Sequence, residues 1–249
     1  ISDSPQEGLL RTRPSAVQET VSHLRKAERD PAVKAVVLQL DSPGGSVTGS
    51  DMLYHEIARF KERTGRKVVA VMMDVAASGG YYVALPADRI LAHPTTVTGS
   101  VGVIFVRPKV AGLLEKIGAG VEVSKSGTLK DLGSPFRATT ADEAAIFQEM
   151  TDRLARRFLD LVRTHRSLSP AELETVASAR IFLAEEARAL KLVDAVGYMP
   201  DALAAARGLA GLPENARVVV YRRTEFPDDN VYTPVTSYEG SRPVALVET

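Results

Sequence analysis

The 249 residues contain no cysteine and no tryptophan. The first absence excludes disulfides, thiolate nucleophiles and cysteine-held metals. Charge of either sign is not in excess: Lys+Arg and Asp+Glu both total 31, and the formal net charge is zero. No sequence-wide field therefore points to nucleic acid or to an anionic surface. Long apolar runs are missing too, and none approaches the roughly 18 residues of a spanning helix. The opening Ile1-Ser2-Asp3-Ser4-Pro5 lacks the charged and apolar regions of a signal peptide. The expectation is a soluble chain whose start without methionine leaves room for a removed anchor or first strand.

What is present is ordinary globular composition, 45% hydrophobic and 25% charged, enough for a substantial core. One domain is expected over residues 1–225. From Phe226 to Thr249 there is little periodicity, and an extended or disordered tail is expected.

Val17, Val21 and Leu24 recur at helical spacing within Ser15–Arg29, which Asp30-Pro31 stops. The β-branched run Ala35–Leu40 reads as a buried strand that enters Asp41-Ser42-Pro43-Gly44-Gly45-Ser46. A helix over Thr48–Lys61 and a strand over Val68–Met73 complete a parallel, right-handed βαβ unit. The second strand runs into Ala76-Ala77-Ser78-Gly79-Gly80, followed by a short apolar helix. Further strands are expected at Arg89–Ala92, Val101–Val106 and Val121–Ser124, with a helix at Val110–Ile117. A long helix, Thr140–Thr164, opens on the capping box Thr140-Ala141-Asp142-Glu143. Helices at Pro170–Ser178, Ala184–Leu190 and Pro200–Gly208 follow, so the class is α/β with a helical C-terminal part.

Two strand-to-loop junctions, at Gly44-Gly45 and at Ser78-Gly79-Gly80, are expected to open at the same sheet edge, because ligands of parallel sheets gather at the carboxyl ends of strands. Acyl transfer needs a nucleophile and N–H donors for the tetrahedral oxyanion, and glycine lets backbone approach a substrate closely. Ser78 and the N–H groups of Gly45 and Gly79 fit those parts. Taken singly, a glycine after a strand is a turn residue and a serine before a helix is an N-cap. Ala76 two residues before Ser78 also departs from the G-x-S-x-G elbow of the α/β-hydrolases.

A serine nucleophile needs a base. Of the four histidines, His23 and His55 lie within helical patterns, His165 lies near a helix end, and His93, before Pro94, is the rival to watch. A lysine serves if burial and neighbouring donors bring an amine from about 10.4 toward roughly 7–8. Lys125 and Lys130 share one loop, and residue type and spacing do not choose between them.

The ordered motifs Asp41-Ser42-Pro43-Gly44-Gly45, Ala77-Ser78-Gly79-Gly80-Tyr81-Tyr82, Thr98-Gly99-Ser100-Val101-Gly102-Val103 and Ser126-Gly127-Thr128-Leu129-Lys130-Asp131 resemble the signal peptide peptidase A family over most of Ala35–Gly197. The resemblance implies a crotonase/Clp protease-like fold of repeated ββα/βαβ units. It implies Ser78 as nucleophile, Lys130 as general base, Ser100 as the residue that orients the lysine, and Gly45 and Gly79 as oxyanion donors. No metal and no organic cofactor are implied. Remnant signal peptides, apolar and extended, are the implied substrates, and a ring or dome of identical subunits is the implied assembly. Such proteins are tethered by an N-terminal transmembrane segment, with the catalytic domain on the periplasmic or extracellular side. Rival readings are a stomatin-partner or phage capsid maturation peptidase of the same fold, a crotonase-type acyl-CoA hydratase or isomerase, and an inactive assembly scaffold.

Overall fold

The computed structural model describes residues 1–4, 6–7 and 12–221. The expected tail over 226–249, and the boundary drawn for it at 225, lie outside the described residues. The chain divides into two compact units, one of Ile1–Val101 with Leu161–Thr249 and one of Gly102–Asp160.

In the first unit a two-residue ribbon, β1 (Gln6–Glu7) and β2 (Thr12–Arg13), precedes helix α1 (Ala16–Arg29). Ser15 caps α1 by accepting from Gln18 N, and Gln18 Oε1 in turn accepts from Ser15 N. The strands β3 (Ala35–Ser42) and β4 (Lys67–Ala77) are joined by α2 (Val47–Thr64), which Gly65 ends in a left-handed conformation. The short helix α3 (Gly79–Ala84) leads to β5 (Arg89–Ala92) and β6 (Val97–Gly99).

β4 organises the sheet. Along one edge it pairs in parallel with β3, Val36 opposite Val68 and Leu40 opposite Met72. Along its other edge β5 runs parallel from Val69 to Met72, and then β6 takes over from Val75 to Ala77. The exchange happens at an irregularity: between Leu40 and Ser42 the partner on β4 moves from Met72 to Ala76. Asp41 bridges the bulge by accepting from Val75 N at 3.2 Å, and Thr98 fixes the new partner by donating to Ala76 O at 2.6 Å.

Successive β4 residues face opposite layers. Val68 joins Val17, Val21, Leu53, Ile57 and Phe60 of α1 and α2 on one side. Val69 and Val71 meet Ala202 and Ala206 of the C-terminal helix on the other.

The second unit holds α4 (Ala111–Lys116) and the start of the long helix α5 (Ala141–His165). The strands expected at Val101–Val106 and Val121–Ser124 do not form. Ile104, Val106, Val121 and Val123 are exposed there and have no ladder to join, so β-branched composition alone does not make a strand. Beyond α5 come α6 (Pro170–Ala177), β7 (Ile181–Leu183), α7 (Ala184–Ala189), β8 (Ala195–Val196) and α8 (Met199–Leu209). β7 closes antiparallel on β6, and β8 runs parallel to β5. No described helix is long and apolar enough to cross a membrane.

Candidate active site

Three parallel strands, β3, β4 and β6, end together in the first unit, with β4 in the middle. Ser78 leaves β4 with φ 52° and ψ −120°, a conformation that L-residues avoid. Such strain persists only where the surroundings impose it, and it is found preferentially at functional sites. Here Gly99 O accepts from Ser78 N at 2.8 Å, and Ser78 O accepts from Tyr82 N at 3.0 Å, so the backbone is held on both sides. The Ser78 hydroxyl makes no capping bond to α3. It is therefore not an ordinary N-cap serine.

The glycine loop after β3 presses on this residue. A Cβ added at Gly44 would lie 2.9 Å from Ser78 Cβ and 3.2 Å from Ser78 Oγ, and Gly44 has φ +113°. One added at Gly79 would lie 3.3 Å from both Gly44 Cα and Gly45 N. The two junctions thus open at one edge, as the strand pattern implies. Among the described residues neither Gly45 N nor Gly79 N donates to a protein acceptor. Gly79 N is also one of the free N–H groups at the start of α3. Ile1 lies against Gly45, its carbonyl accepting from Ser46 N at 3.1 Å and its main-chain nitrogen donating to Gly44 O.

Ala77 pairs with Gly99, so Ser78 and Ser100 leave neighbouring strands side by side. Ser100 shares the unusual conformation, with φ 51°, and its N–H donates to Arg180 O at 2.9 Å. β7 supports the turn closely: a Cβ at Gly99 would lie 2.5 Å from the Phe182 ring.

Gly44→Ala is the sensitive test of this packing. The added methyl has to displace the nucleophile, and a misplacement of about 1 Å lowers turnover about 10²-fold. A variant that still folds, with a lower melting temperature because alanine is strained at φ +113°, and that loses about that much kcat on a peptide is expected. Unchanged kcat would show that the loop does not bear on Ser78.

Lys130 belongs to the second unit, in a turn where its N–H donates to Gly127 O at 3.1 Å, and it is exposed, so the burial expected of a lysine base is not present, because its loop has no apolar core around it. Lys125 is committed within the same loop, its Nζ donating to Asp131 Oδ1 at 2.7 Å and to Thr128 O at 3.0 Å. Arg137 bridges Asp131 to Glu143, a residue only 1% exposed. These bonds, Arg137 first and Lys125 second, hold the Asp131 carboxyl well below the usual carboxylate range. The Arg137 bond, then the one from Thr140 N, lowers Glu143 to about 2. Its stabilising effect is thus present above its unfolded value near 4.5 and lost only as pH falls toward about 2.

Three of the four histidines are engaged elsewhere, and His55 on α2 is exposed. His93 N donates to Met72 O, and its ring meets Thr95 at 2.8 Å and Tyr198 edge-on. Met72 precedes Ser78 by six residues of extended chain, about 20 Å. His165 pairs with Tyr54 at 2.8 Å, and burial, with Lys61 and Arg166 nearby, favours its neutral ring. His23 stacks on Tyr221.

Sequence reasoning passed over Thr98 and the Arg137 bridge. The capping box Thr140–Glu143 was legible and is present, with Glu143 N donating to Thr140 Oγ1 at 3.2 Å. That its carboxylate also takes an arginine has no periodic signal.

The model of "Peptidase family S49" matches residues 60–213, a span that includes Ser78, Ser100 and Lys130. The chain is 35% identical over 234 residues to "Serine protease SPPA, chloroplastic" of Arabidopsis thaliana, covering 91% of this chain and 34% of that one. It is 32% identical over 242 residues to an Enterococcus faecium protein that carries the name signal peptide peptidase SppA, covering 96% of this chain and 70% of that one. "Protease 4" of Salmonella typhi is 36% identical over 195 residues, 78% of this chain and 31% of that one. The chain thus spans about a third of the Arabidopsis and Salmonella proteins. Among solved structures it is similar to a ClpP1 mutant of Listeria monocytogenes, with a TM-score of 0.47, 18% identity, and coverage of 75% of this chain and 86% of that one. The chain belongs to peptidase family S49, and with it to the serine peptidases, a class of hydrolases.

Proposed function

We propose that this chain is an endopeptidase of the Ser-Lys type, acting on remnant signal peptides and similar apolar, extended peptides. The observation that carries the reading is the strained Ser78, with a hydroxyl unused by its helix and two unclaimed glycine N–H groups beside it. Lys130 is the base in this account, by its place in the Ser126–Asp131 motif and because Lys125 is already bound within the loop.

The reaction runs in two displacements. Lys130 Nζ takes the proton of Ser78 Oγ, and Oγ bonds to the scissile carbonyl carbon. The oxygen that becomes negative receives N–H bonds from Gly45 and Gly79. On collapse the C–N bond breaks, and the Lys130 ammonium returns its proton to the leaving amine. Water, deprotonated by the same amine, then bonds to the acyl carbon, the C–Oγ bond breaks, and the ammonium returns the proton to Ser78 Oγ. Ser100 directs the amine, which on a flexible four-carbon stem has no fixed orientation of its own.

Exposed Ile104, Phe105, Val106, Leu113 and Ile117 in the second unit support assembly with further copies, since apolar surface of this extent is seldom left in water. A membrane-associated protein with its catalytic part outside the cytoplasm fits the substrate class.

The test is incubation with a synthetic signal-peptide sequence and, separately, an enoyl-CoA, with mass-spectrometric product analysis and light scattering of the same sample. Internal cleavage of the peptide, an unchanged acyl-CoA and a mass several times 26.8 kDa are expected. Hydration of the enoyl-CoA with an intact peptide would replace this reading by the crotonase one.

A further inference from the structure

The loop that carries Lys130 has neither helix nor strand to hold it. Residues 121–130 are all exposed, so no apolar core fixes them either. General-base chemistry nevertheless needs its amine placed to within about 0.5 Å. Something else has to supply the rigidity.

We propose that Arg137 is a positioning residue for Lys130, its guanidinium clamping the loop Lys125–Ser134 to the first turn of α5 by joining Asp131 to Glu143. The inference rests on Lys130 being the base.

The planar fork is used fully. Arg137 Nε donates to Asp131 Oδ2 at 2.8 Å and Nη2 to Asp131 Oδ1 at 2.9 Å, a bidentate pair. Nη2 also reaches Asp131 O at 3.3 Å, so the main chain next to Lys130 is held as well as the side chain. On the far side Nη1 donates to Glu143 Oε2 at 2.8 Å, and Nη2 to Glu143 Oε1. Glu143 is itself fixed by accepting from Thr140 N at 3.0 Å. Upstream of Lys130, Lys125 Nζ bridges Thr128 O to Asp131 Oδ1. The carbonyls of Thr128 and Asp131, on either side of Lys130, are therefore linked through Lys125 and Arg137 to the Asp131 carboxylate, and Arg137 ties that carboxylate to a helix.

A second anchor lies one helical turn further on. Glu143 and Phe147 share a face of α5 by their spacing of four. A Cβ added at Gly133 would lie 3.0 Å from Phe147 Cζ, and the Arg107 guanidinium covers the Phe147 ring at 3.6 Å from its centroid. The loop thus rests on α5 at Asp131 through Arg137 and at Gly133 directly. A lysine in place of Arg137 has a single ammonium and no fork, so it does not join both carboxylates in this plane.

The experiment measures phosphonylation of Ser78 by a peptidyl phosphonate, together with kcat and KM on one peptide, in a double-mutant cycle between Arg137→Met and Lys130→Ala. Arg137→Met is expected to lower kcat and the labelling rate by about 10- to 100-fold with KM nearly unchanged, and Arg137→Lys to recover only part. In the Lys130→Ala background the same change is expected to alter labelling less than about twofold, because nothing is left for the clamp to position. An equal loss in both backgrounds, or no loss with Lys130 present, overturns the proposal. Asp131→Asn, which keeps the Arg137–Glu143 pair, is run through the same cycle and decides the matter if Arg137→Met does not fold. Wild-type labelling in Lys130→Ala alone would instead overturn the choice of base, an outcome read before Arg137 is touched.

Discussion

Ser78→Ala is expected to abolish covalent labelling by a serine-directed phosphonate and to lower peptide hydrolysis on the order of 10⁴- to 10⁶-fold, as loss of a nucleophile does in other serine peptidases. The expectation follows from the backbone. A serine at φ 52°, ψ −120° stores strain that an ordinary N-cap would not need, and its hydroxyl gives α3 nothing in return. Alanine adopts the same conformation at similar cost, so the variant should fold and melt close to the parent while losing chemistry. Activity retained by a folded Ser78→Ala protein would move the nucleophile elsewhere.

Lys130→Ala should lower kcat/KM by at least about 10³-fold, within the range that removal of a general base produces. Lys130→Arg should be no better, because a guanidinium keeps its proton at any pH an enzyme works at and so cannot accept the one from Ser78. The pair of variants separates charge from proton transfer: if the positive charge alone mattered, arginine would rescue. His93→Ala should leave turnover unchanged, since its imidazole is bonded to Thr95 and meets Tyr198 edge-on beside Met72. A dead His93→Ala with an active Lys130→Ala would replace the Ser-Lys arrangement by a Ser-His one.

Much of this was legible before any coordinates. The runs Ala35–Leu40 and Val68–Met73 carry enough β-branched residues between glycine loops to be read as parallel strands, and parallel strands bring their carboxyl ends to one edge. The convergence of Gly44 on Ser78 follows from that alone. β6 and β7 escaped notice because Val97–Gly99 and Ile181–Leu183 are each three residues long, too short for a period of two to show. Without them Ser100 is a turn serine in a motif. With them it is the neighbour of Ser78, placed by the Ala77–Gly99 pair. The opposite error, strands expected at Val101–Val106 and Val121–Ser124, has the same root: local composition does not reveal whether a partner strand exists. The arginine clamp was invisible for another reason, since ion pairs between loop and helix depend on side chains six residues apart with no fixed register.

The central claim is that Ser78 reacts because Lys130 removes its proton, and the rate of site-mapped phosphonylation tests it most directly. Wild-type protein, Lys130→Ala and Lys130→Arg are treated with one phosphonate, and the adduct is located and timed by mass spectrometry. The account predicts a single adduct on Ser78 in the wild-type protein, forming at least about 10²-fold more slowly in both variants. An adduct on another serine, or equal rates on Ser78 in all three proteins, would contradict it.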